Sequence, residues 1–215
     1  MSDQPSRRDA AFRKGETAVL VVDMQIIWLE PGADPFHPEH GPDHYFYRQT
    51  ASTTIPNAQR ILKAARANGV EVVHTIIQSL TEDGRDRSLD HKLTPIHVPP
   101  GLPVGRPVAA LAPLGDEIVL PKTSSGVFNS TNIDYVLKNL GIRYLIVVGV
   151  MTDQCVDMAV RDAADRSYLV TCVADACATA SRERHEAALK AFGGYCWVTD
   201  TDTVIARMEA LGKDA

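Results

Sequence analysis

The chain has 215 residues, of which 45% are hydrophobic and 23% are charged, a composition typical of one globular domain. Its formal net charge of -5 argues against a basic surface for nucleic acid or an anionic membrane. No apolar run approaches the roughly 20 residues that span a bilayer, and the first residues lack the apolar stretch of a signal peptide. We therefore expect a cytoplasmic protein, with a flexible tail at residues 1–14 and a domain at 15–215.

Strand-like apolar runs alternate with amphipathic segments along the chain. The predicted strands are Thr17–Val22, Val70–Ile77, Glu117–Leu120, Ile142–Val148, Tyr168–Val173 and Tyr195–Val198. The predicted helices are Ile55–Arg66, Thr131–Leu140, Asp153–Arg166, Arg182–Phe192 and Thr203–Leu211. This alternation predicts an α/β fold, a single-domain three-layer α/β/α sandwich around a mostly parallel six-stranded sheet.

Two long irregular segments, Glu30–Ala51 and Gln78–Gly115, interrupt the alternation. Loops of this length in a compact domain are usually lids or interfaces. The first segment contains His37, His40 and His44 among carboxylates, a residue set that invites a metal hypothesis. The alternative is a solvated loop, which we favour, so the sequence predicts neither a metal nor another cofactor.

Three chemically reactive residues lie at the ends of predicted strands. Asp23 follows the first strand, Lys122 the third, and Cys155 lies between the fourth strand and the next helix. Because the carboxyl ends of parallel strands share one edge of the sheet, these side chains can converge. A helix N-terminus also favours a thiolate, which makes Cys155 a candidate nucleophile. Taken singly, each charged residue is typical of a solvated loop, and Cys155 of a small buried residue.

The chain resembles the cysteine hydrolases of the isochorismatase-like superfamily over roughly residues 15–200. The resemblance rests on V-V-D-M-Q at Val21–Gln25, L-P-K at Leu120–Lys122 and G-V-M-T-D-Q-C-V at Gly149–Val156, in this order and separation. Each motif alone is weak, but the combination is specific.

The resemblance implies that Asp23, Lys122 and Cys155 form a catalytic triad. In this interpretation Lys122 lowers the pKa of the Cys155 thiol, the thiolate attacks an amide carbon, and Asp23 transfers protons. The resemblance further implies an oxyanion hole made by the backbone N–H groups of Met151 and Cys155, and a cis peptide bond between Val150 and Met151. Non-proline cis bonds are rare, so this last expectation is specific.

The substrate class is also an implication of the resemblance. A cysteine nucleophile favours the amide-hydrolysing branch, and the Asp-x-His metal element of nicotinamidases is missing after the second strand. The chain looks most similar to hydrolases of small ureides such as biuret, triuret, ureidoacrylate or carbamoyl amino acids. Candidate substrate-binding residues are Gln25, Gln78, Phe128 and Arg87. Strand capping explains Gln25 equally well, and core packing of Phe128 and solvation of Gln78 and Arg87 are the commoner explanations for the other three.

Several alternatives remain open at this point. An isochorismatase- or nicotinamidase-type hydrolase would use the same fold, and a thiol-reactive sensing module or an inactive scaffold would not turn over substrate. The other cysteines do not predict disulfides: Cys172 and Cys196 lie in predicted strands and Cys177 in a small-residue loop. We expect a small-molecule substrate and a homo-oligomer, either a dimer or a tetramer.

Overall fold

A computed structural model describes residues 7–34 and 39–212. Its sheet contains six strands in the order β3-β2-β1-β4-β5-β6, and every pairing is parallel. The strands are β1 (Thr17–Val22), β2 (Glu71–Ile77), β3 (Ile118–Lys122), β4 (Tyr144–Val150), β5 (Leu169–Ala178) and β6 (Trp197–Thr199). The predicted six-stranded α/β domain is confirmed, and the sheet is wholly rather than mostly parallel.

Helices cover both faces of the sheet. They are α1 (Ile26–Leu29), α2 (Tyr45–Gln49), α3 (Ile55–Ala67), α4 (Leu89–Leu93), α5 (Val127–Ser130), α6 (Ile133–Asn139), α7 (Asp157–Asp165), α8 (Arg182–Phe192) and α9 (Thr201–Leu211). Helices α3 and α9 pack on one face, and α6, α7 and α8 pack on the other. Because both faces are covered, the strands are continuous apolar runs, as parallel sheets require.

The side chains of β1 show how the sheet builds two cores. Ala18, Leu20 and Val22 belong to the core under α6, α7 and α8, whereas Val19 and Val21 belong to the core under α3 and α9. This alternation follows the period of two in an extended strand. Each residue of β1 is buried, so the strand that carries Asp23 is held at the centre of the sheet.

The strand order places a topological switch point between β1 and β4. From β1 the chain proceeds to β2 and β3 on one side, and it returns to β4 on the other side. In open α/β sheets, ligands bind beyond the carboxyl ends of the strands at such a point. Asp23 and Cys155 follow these two strands, so the fold itself favours a site there.

Gly149 lets β1 and β4 approach closely at the switch point. It pairs with Val22, and its φ is 128°, a backbone conformation that glycine adopts far more easily than other residues. A Cβ atom at this position would lie 2.1 Å from the carbonyl oxygen of Val22. Any residue larger than glycine would therefore push the two central strands apart.

The bounds of several elements differ from the prediction. Strand β5 continues to Ala178, so Cys177 is a buried strand residue rather than a loop residue. Strand β6 begins at Trp197, one residue after Cys196. Strand β3 continues through Pro121 to Lys122. Proline has no N–H group to donate, and it is tolerated here because β3 is an edge strand with no further neighbour to bond. A π-helical turn at Thr152–Val156 precedes α7, where the sequence predicts one regular helix.

The last part of the predicted N-terminal tail is anchored to the domain. Phe12 is buried with its ring edge against Tyr144, and Arg207 donates to the carbonyl oxygens of Asp9 and Ala10. Burial of an aromatic side chain favours the attachment of these residues to the domain, and the division into a tail at residues 1–14 and a domain at 15–215 stays a prediction. Within the described ranges, no helix has the length and apolar character to cross a bilayer.

Candidate active site

The structure brings Asp23, Lys122 and Cys155 together beyond the carboxyl edge of the sheet. The ammonium Nζ of Lys122 lies 2.8 Å from Oδ2 of Asp23 and 3.3 Å from Sγ of Cys155. Lys122 comes from edge strand β3, and its long side chain reaches the centre of the sheet with no exposed surface. A fully buried lysine requires paired charge and hydrogen bonds, and this one has both.

Backbone carbonyl groups complete the surroundings of the ammonium. Lys122 Nζ donates to the carbonyl oxygens of Ser124 and Ser125, at 3.0 and 3.1 Å. Burial alone would lower the pKa of Lys122, but the charges of Asp23 and Cys155 outweigh it and the pKa is raised. The ammonium therefore stays charged and is a permanent positive group beside the cysteine sulfur.

His91 supports the loop that carries these carbonyl groups. Its Nε2 atom lies 3.3 Å from the hydroxyl of Ser125, and the ring is 1% exposed. Burial, followed by the charge of Lys122, lowers the pKa of His91. A neutral imidazole at this position adds no second positive charge to the site.

Asp23 is held in a left-handed backbone conformation directly after β1. Its φ is 52°, a value that aspartate tolerates better than most residues. The backbone N–H of Asp23 donates to the carbonyl oxygen of Thr75, and the Thr75 hydroxyl donates to Oδ1 at 3.1 Å. Strand β2 thus fixes one carboxylate oxygen and leaves Oδ2 for the ammonium of Lys122.

Burial is the largest influence on the acidity of the Cys155 thiol. Burial raises its pKa to about 12, against the lowering effect of Lys122, and the charge and hydrogen bond of Asp23 raise it further. Lys122 lowers the pKa of the thiol as the sequence predicts, but the loss of water around the sulfur outweighs this one nearby cation. The ammonium of Lys122 contacts both the Asp23 carboxylate and the Cys155 sulfur, and so holds the two groups in one site.

The turn that presents Cys155 begins after a cis peptide bond between Val150 and Met151, as the resemblance implies. The N–H groups of Gln154 and Val156 donate to the carbonyl oxygen of Met151, which closes the π-helical turn. Cys155 thus lies in the first turn of a helical segment, where backbone N–H groups lack acceptors within the helix.

A cavity of about 170 Å³ opens above the cysteine. Asp23 and Cys155 contribute to its lining, as do Val150 and Met151 from the end of β4 and the residue after it. The two long irregular segments supply much of the rest. The first contributes residues before and within α2, namely Asp34, His40, His44, Phe46 and Tyr47, and the second contributes Ile96. The predicted role of these segments as covers of a site agrees with this arrangement.

Comparison with known proteins assigns the family. The isochorismatase domain model matches residues 17–203, which is most of the chain and includes all three motifs. The chain belongs to the isochorismatase family. As a member it is a hydrolase, and the enzyme interpretation of the sequence is confirmed at this level.

Two curated relatives indicate where this isochorismatase-family chain lies in the family. The ureidoacrylate amidohydrolase RutB of Serratia proteamaculans is 29% identical over 221 residues, covering 93% of this chain and 86% of the relative. The N-carbamoylsarcosine amidase of an Arthrobacter species is 32% identical over 156 residues, covering 70% of this chain and 55% of the relative. A cysteine hydrolase from Pseudomonas syringae pv. phaseolicola superposes with a TM-score of 0.83 at 27% identity, covering 98% of this chain and all of that one.

Gln25 does not reach the cavity of this family member. Its amide nitrogen donates to the carbonyl oxygens of Ile77 and Gly105, and its amide oxygen accepts from the N–H of Ile77 and the indole of Trp28. The side chain is fully buried, and these four bonds use its hydrogen-bonding groups. Its prediction as a substrate-binding residue is corrected: Gln25 ties the end of β1 to β2 and to the second long segment.

The other three predicted substrate-binding residues also lie outside the cavity lining. Phe128 is buried against Tyr168 and beneath the guanidinium of Arg166, so it packs in the core. Arg87 donates to the carbonyl oxygens of Gly84 and Ile96 and braces its own loop. Gln78 continues from β2, with its N–H donated to the carbonyl oxygen of Lys122. These contacts are long-range or within the loop, and the local sequence does not reveal them.

Two histidines of the metal hypothesis, His40 and His44, line the cavity as a stacked pair of rings. The rings of His40 and His44 stack at a centroid distance of 3.8 Å, and both line the cavity. His37 lies outside the described residues. Among the residues that the structure describes, no group of three or more His, Cys, Asp or Glu side chains is arranged to hold a metal ion.

Sequence reasoning missed Trp28 and Arg184, which both line the cavity. Trp28 lies in the short helix directly after the Asp23 motif, so proximity in sequence was an available signal. Arg184 lies in the first turn of α8, and its guanidinium Nε donates to Oδ2 of Asp153 at 2.6 Å. Nothing in the local sequence of α8 indicates this contact, because the helix reaches the site only through the fold.

Proposed function

We propose that this isochorismatase-family chain is an amidohydrolase that cleaves a C–N bond of a small ureide through a thioester on Cys155. The observation that carries the proposal is the buried ammonium of Lys122, which lies 2.8 Å from the Asp23 carboxylate and 3.3 Å from the Cys155 sulfur, beside a small cavity that Asp23 and Cys155 both line. The names of the ureidoacrylate and carbamoylsarcosine relatives support an amide or ureide substrate.

In the first half-reaction the Cys155 sulfur bonds to the substrate carbonyl carbon while Asp23 accepts the thiol proton. Because the resting thiol has a raised pKa, proton transfer accompanies attack instead of preceding it. Lys122 stabilises the negative charge that develops on sulfur. The C–N bond then breaks, and Asp23 passes the proton to the leaving nitrogen, so that ammonia or an amine departs.

In the second half-reaction a water molecule attacks the thioester carbon. Asp23 accepts one water proton, the C–S bond breaks, and the proton returns to the Cys155 sulfur. The developing oxyanion of both steps lies near the backbone N–H groups of Met151 and Cys155, which we propose as its hydrogen-bond donors. Lys122 supplies the positive charge throughout, so each step is balanced without a metal ion or other cofactor.

The test is ammonia and amine release from a panel of small amides. Biuret, triuret, ureidoacrylate and N-carbamoylsarcosine should be hydrolysed with higher kcat/KM than nicotinamide or isochorismate, because a polar site rejects analogues that leave its groups unpaired. Dialysis against a chelator should leave the rate unchanged. Preference for nicotinamide or isochorismate, or activity restored only by added metal, would contradict the proposal.

The nucleophile is tested with Cys155→Ala and a matched buried control, Cys177→Ala. We expect Cys155→Ala to lose roughly a thousand-fold or more of kcat, while Cys177→Ala keeps turnover per folded molecule. Mass spectrometry after incubation with an aldehyde analogue should place the adduct on Cys155. An adduct on Cys177, or appreciable turnover by Cys155→Ala, would exclude the thioester mechanism. The expected dimer or tetramer stays a prediction, which light scattering can test.

A further inference from the structure

The cavity contains one fixed guanidinium group. Among the described residues that line it, Arg184 is the only arginine or lysine. Its Nε lies 2.6 Å and its second terminal nitrogen 2.5 Å from Oδ2 of Asp153. Asp153 in turn accepts a hydrogen bond from the Thr179 hydroxyl, just after β5. Arg184 is thus held from the side of the turn that carries Cys155.

This arrangement leaves part of the guanidinium for a ligand. A guanidinium has five N–H donors in a fixed plane, and Asp153 engages donors on two of its three nitrogens. The Arg184 side chain is 49% exposed, although its carboxylate partner is only 17% exposed. Because Asp153 already fastens the guanidinium, less conformational entropy is lost when a ligand binds to its remaining donors.

The position of Arg184 selects for an anionic group on the substrate. The ammonium of Lys122 is committed to Asp23, Cys155 and two carbonyl groups, so it is not offered to a distant part of the substrate. Asp34 lines the cavity from the segment after α1, and it would repel an anion there. His40 and His44 also line the cavity, but of its described lining residues Arg184 is the only arginine or lysine, and it offers a carboxylate planar bidentate pairing.

We propose that Arg184 binds the carboxylate of an N-carbamoyl acid whose ureido carbon is attacked by Cys155. This inference rests on the proposed function and narrows it: of the ureides considered, those with a carboxylate are favoured over neutral biuret and triuret. Arg184 determines specificity and takes no part in proton transfer. Asp153 and Thr179 orient it.

A binding experiment tests the subsite without turnover. In the Cys155→Ala background, calorimetry compares N-carbamoyl-β-alanine with its neutral N-methylamide. The acid should bind roughly 10-fold more tightly than the amide, the low end for a charge-assisted hydrogen bond because Arg184 is half-exposed. Arg184→Gln should bring the ratio of affinities close to one, and Arg184→Lys should keep part of the preference. The matched control is Arg182→Gln, an exposed arginine of the same helix turn that does not line the cavity.

The outcomes separate this inference from the proposed function. Equal affinity for the acid and the amide, no binding of either, or a preference that survives Arg184→Gln would overturn the carboxylate subsite. Hydrolysis is measured in parallel with Cys155 present. If the acid binds in an Arg184-dependent manner but no ureide is hydrolysed, the subsite stands and the proposed function fails. If ureides are hydrolysed with no preference for the acid, the proposed function stands and the carboxylate subsite fails.

Discussion

At the scale of single residues, burial decides the chemical state of the site. Lys122 and Cys155 are 3.3 Å apart, yet the pKa of both is raised. For the lysine, the charge of Asp23 outweighs the loss of water; for the thiol, the loss of water outweighs the charge of the lysine. The site therefore holds a buried ion pair beside the Cys155 sulfur, and the proposed mechanism starts from this arrangement.

The Lys122–Asp23 pair leads to a prediction about stability. Lys122→Met leaves the Asp23 carboxylate buried without its cation, and we expect the free energy of unfolding to fall by about 3 to 5 kcal/mol. The matched control is Lys138→Met, because Lys138 also pairs with an aspartate, at 2.7 Å from Asp134, but is 58% exposed. An exposed i,i+4 pair contributes about 0.5 kcal/mol or less.

Urea unfolding at neutral pH measures both variants. Adding Asp23→Asn to Lys122→Met should recover part of the lost stability, since no uncompensated charge then remains in the core. The free energies of unfolding of Lys122→Met and Lys138→Met are then compared. If they differ by about 0.5 kcal/mol or less, the ammonium of Lys122 does not stabilise the fold as its burial beside Asp23 indicates.

At the scale of elements, the site depends on how closely β1 and β4 approach. Gly149 lies opposite Val22 and is the last residue but one of β4. The turn that presents Cys155 follows at Thr152–Val156. The Asp23 and Cys155 side chains leave from these two neighbouring strands, so their separation follows from the separation of the backbones. Helix α8 then adds Arg184 and His185, whose ring nitrogen lies 2.8 Å from the hydroxyl of Thr152. The turn is held between β4 and α8.

Gly149→Ala should disrupt this contact. A Cβ atom 2.1 Å from the Val22 carbonyl oxygen requires the two central strands to separate, and the residue must also keep a φ of 128°. We expect a loss of about 3 kcal/mol or more in the free energy of unfolding. Activity per folded molecule should fall as well, because small displacements of reacting groups are costly.

The control for this variant is Gly194→Ala, since a Cβ atom there meets nothing within 4 Å. It should change the free energy of unfolding by less than about 0.5 kcal/mol. Denaturant unfolding and kcat/KM are measured for both proteins. Equal stability of the two alanine variants would show that β1 and β4 can separate without cost.

At the scale of the whole molecule, an ion-pair network away from the active site joins the edge of the sheet to α3. Arg66 binds Glu117 through two nitrogens at 2.8 and 2.9 Å, and Glu117 also contacts Nε2 of buried His74 at 3.2 Å. Burial alone would raise the pKa of Glu117, but hydrogen bonds from Arg66, from the backbone N–H of Leu114 and from His74, together with the charge of Arg66, lower it to about 2. The network stabilises β3, the strand that delivers Lys122.

This lowered pKa predicts acid sensitivity. An unfolded glutamate titrates near 4.5 and the folded one near 2, so its contribution is complete above pH 4.5 and is lost as the pH falls toward 2. Glu117→Gln should cost about 3 kcal/mol at neutral pH and should flatten the fall in stability across this window. The control Glu209→Gln, at an exposed position of α9, should leave the pH profile unchanged.

Unfolding free energies from pH 7 down to 2.5 would measure this effect. Parallel curves for Glu117→Gln and the wild-type protein over the acid window would contradict the assignment of the lost stability to Glu117. In that case a constant loss of stability in Glu117→Gln would indicate lost packing rather than a lost ionisation effect.

The amino-acid sequence alone was sufficient to predict the sheet and the convergence of Asp23, Lys122 and Cys155. Apolar runs, glycines at helix ends and the parallel order of strands are local or topological properties, and they fix which strand ends share an edge. Contacts between distant segments were needed for the rest. Gln25 is satisfied by groups 52 and 80 residues away, and Arg184 enters the cavity through the packing of α8. The state of the Cys155 thiol likewise depends on water excluded by the whole fold, because a pKa responds to every group packed around it and not to its neighbours in sequence.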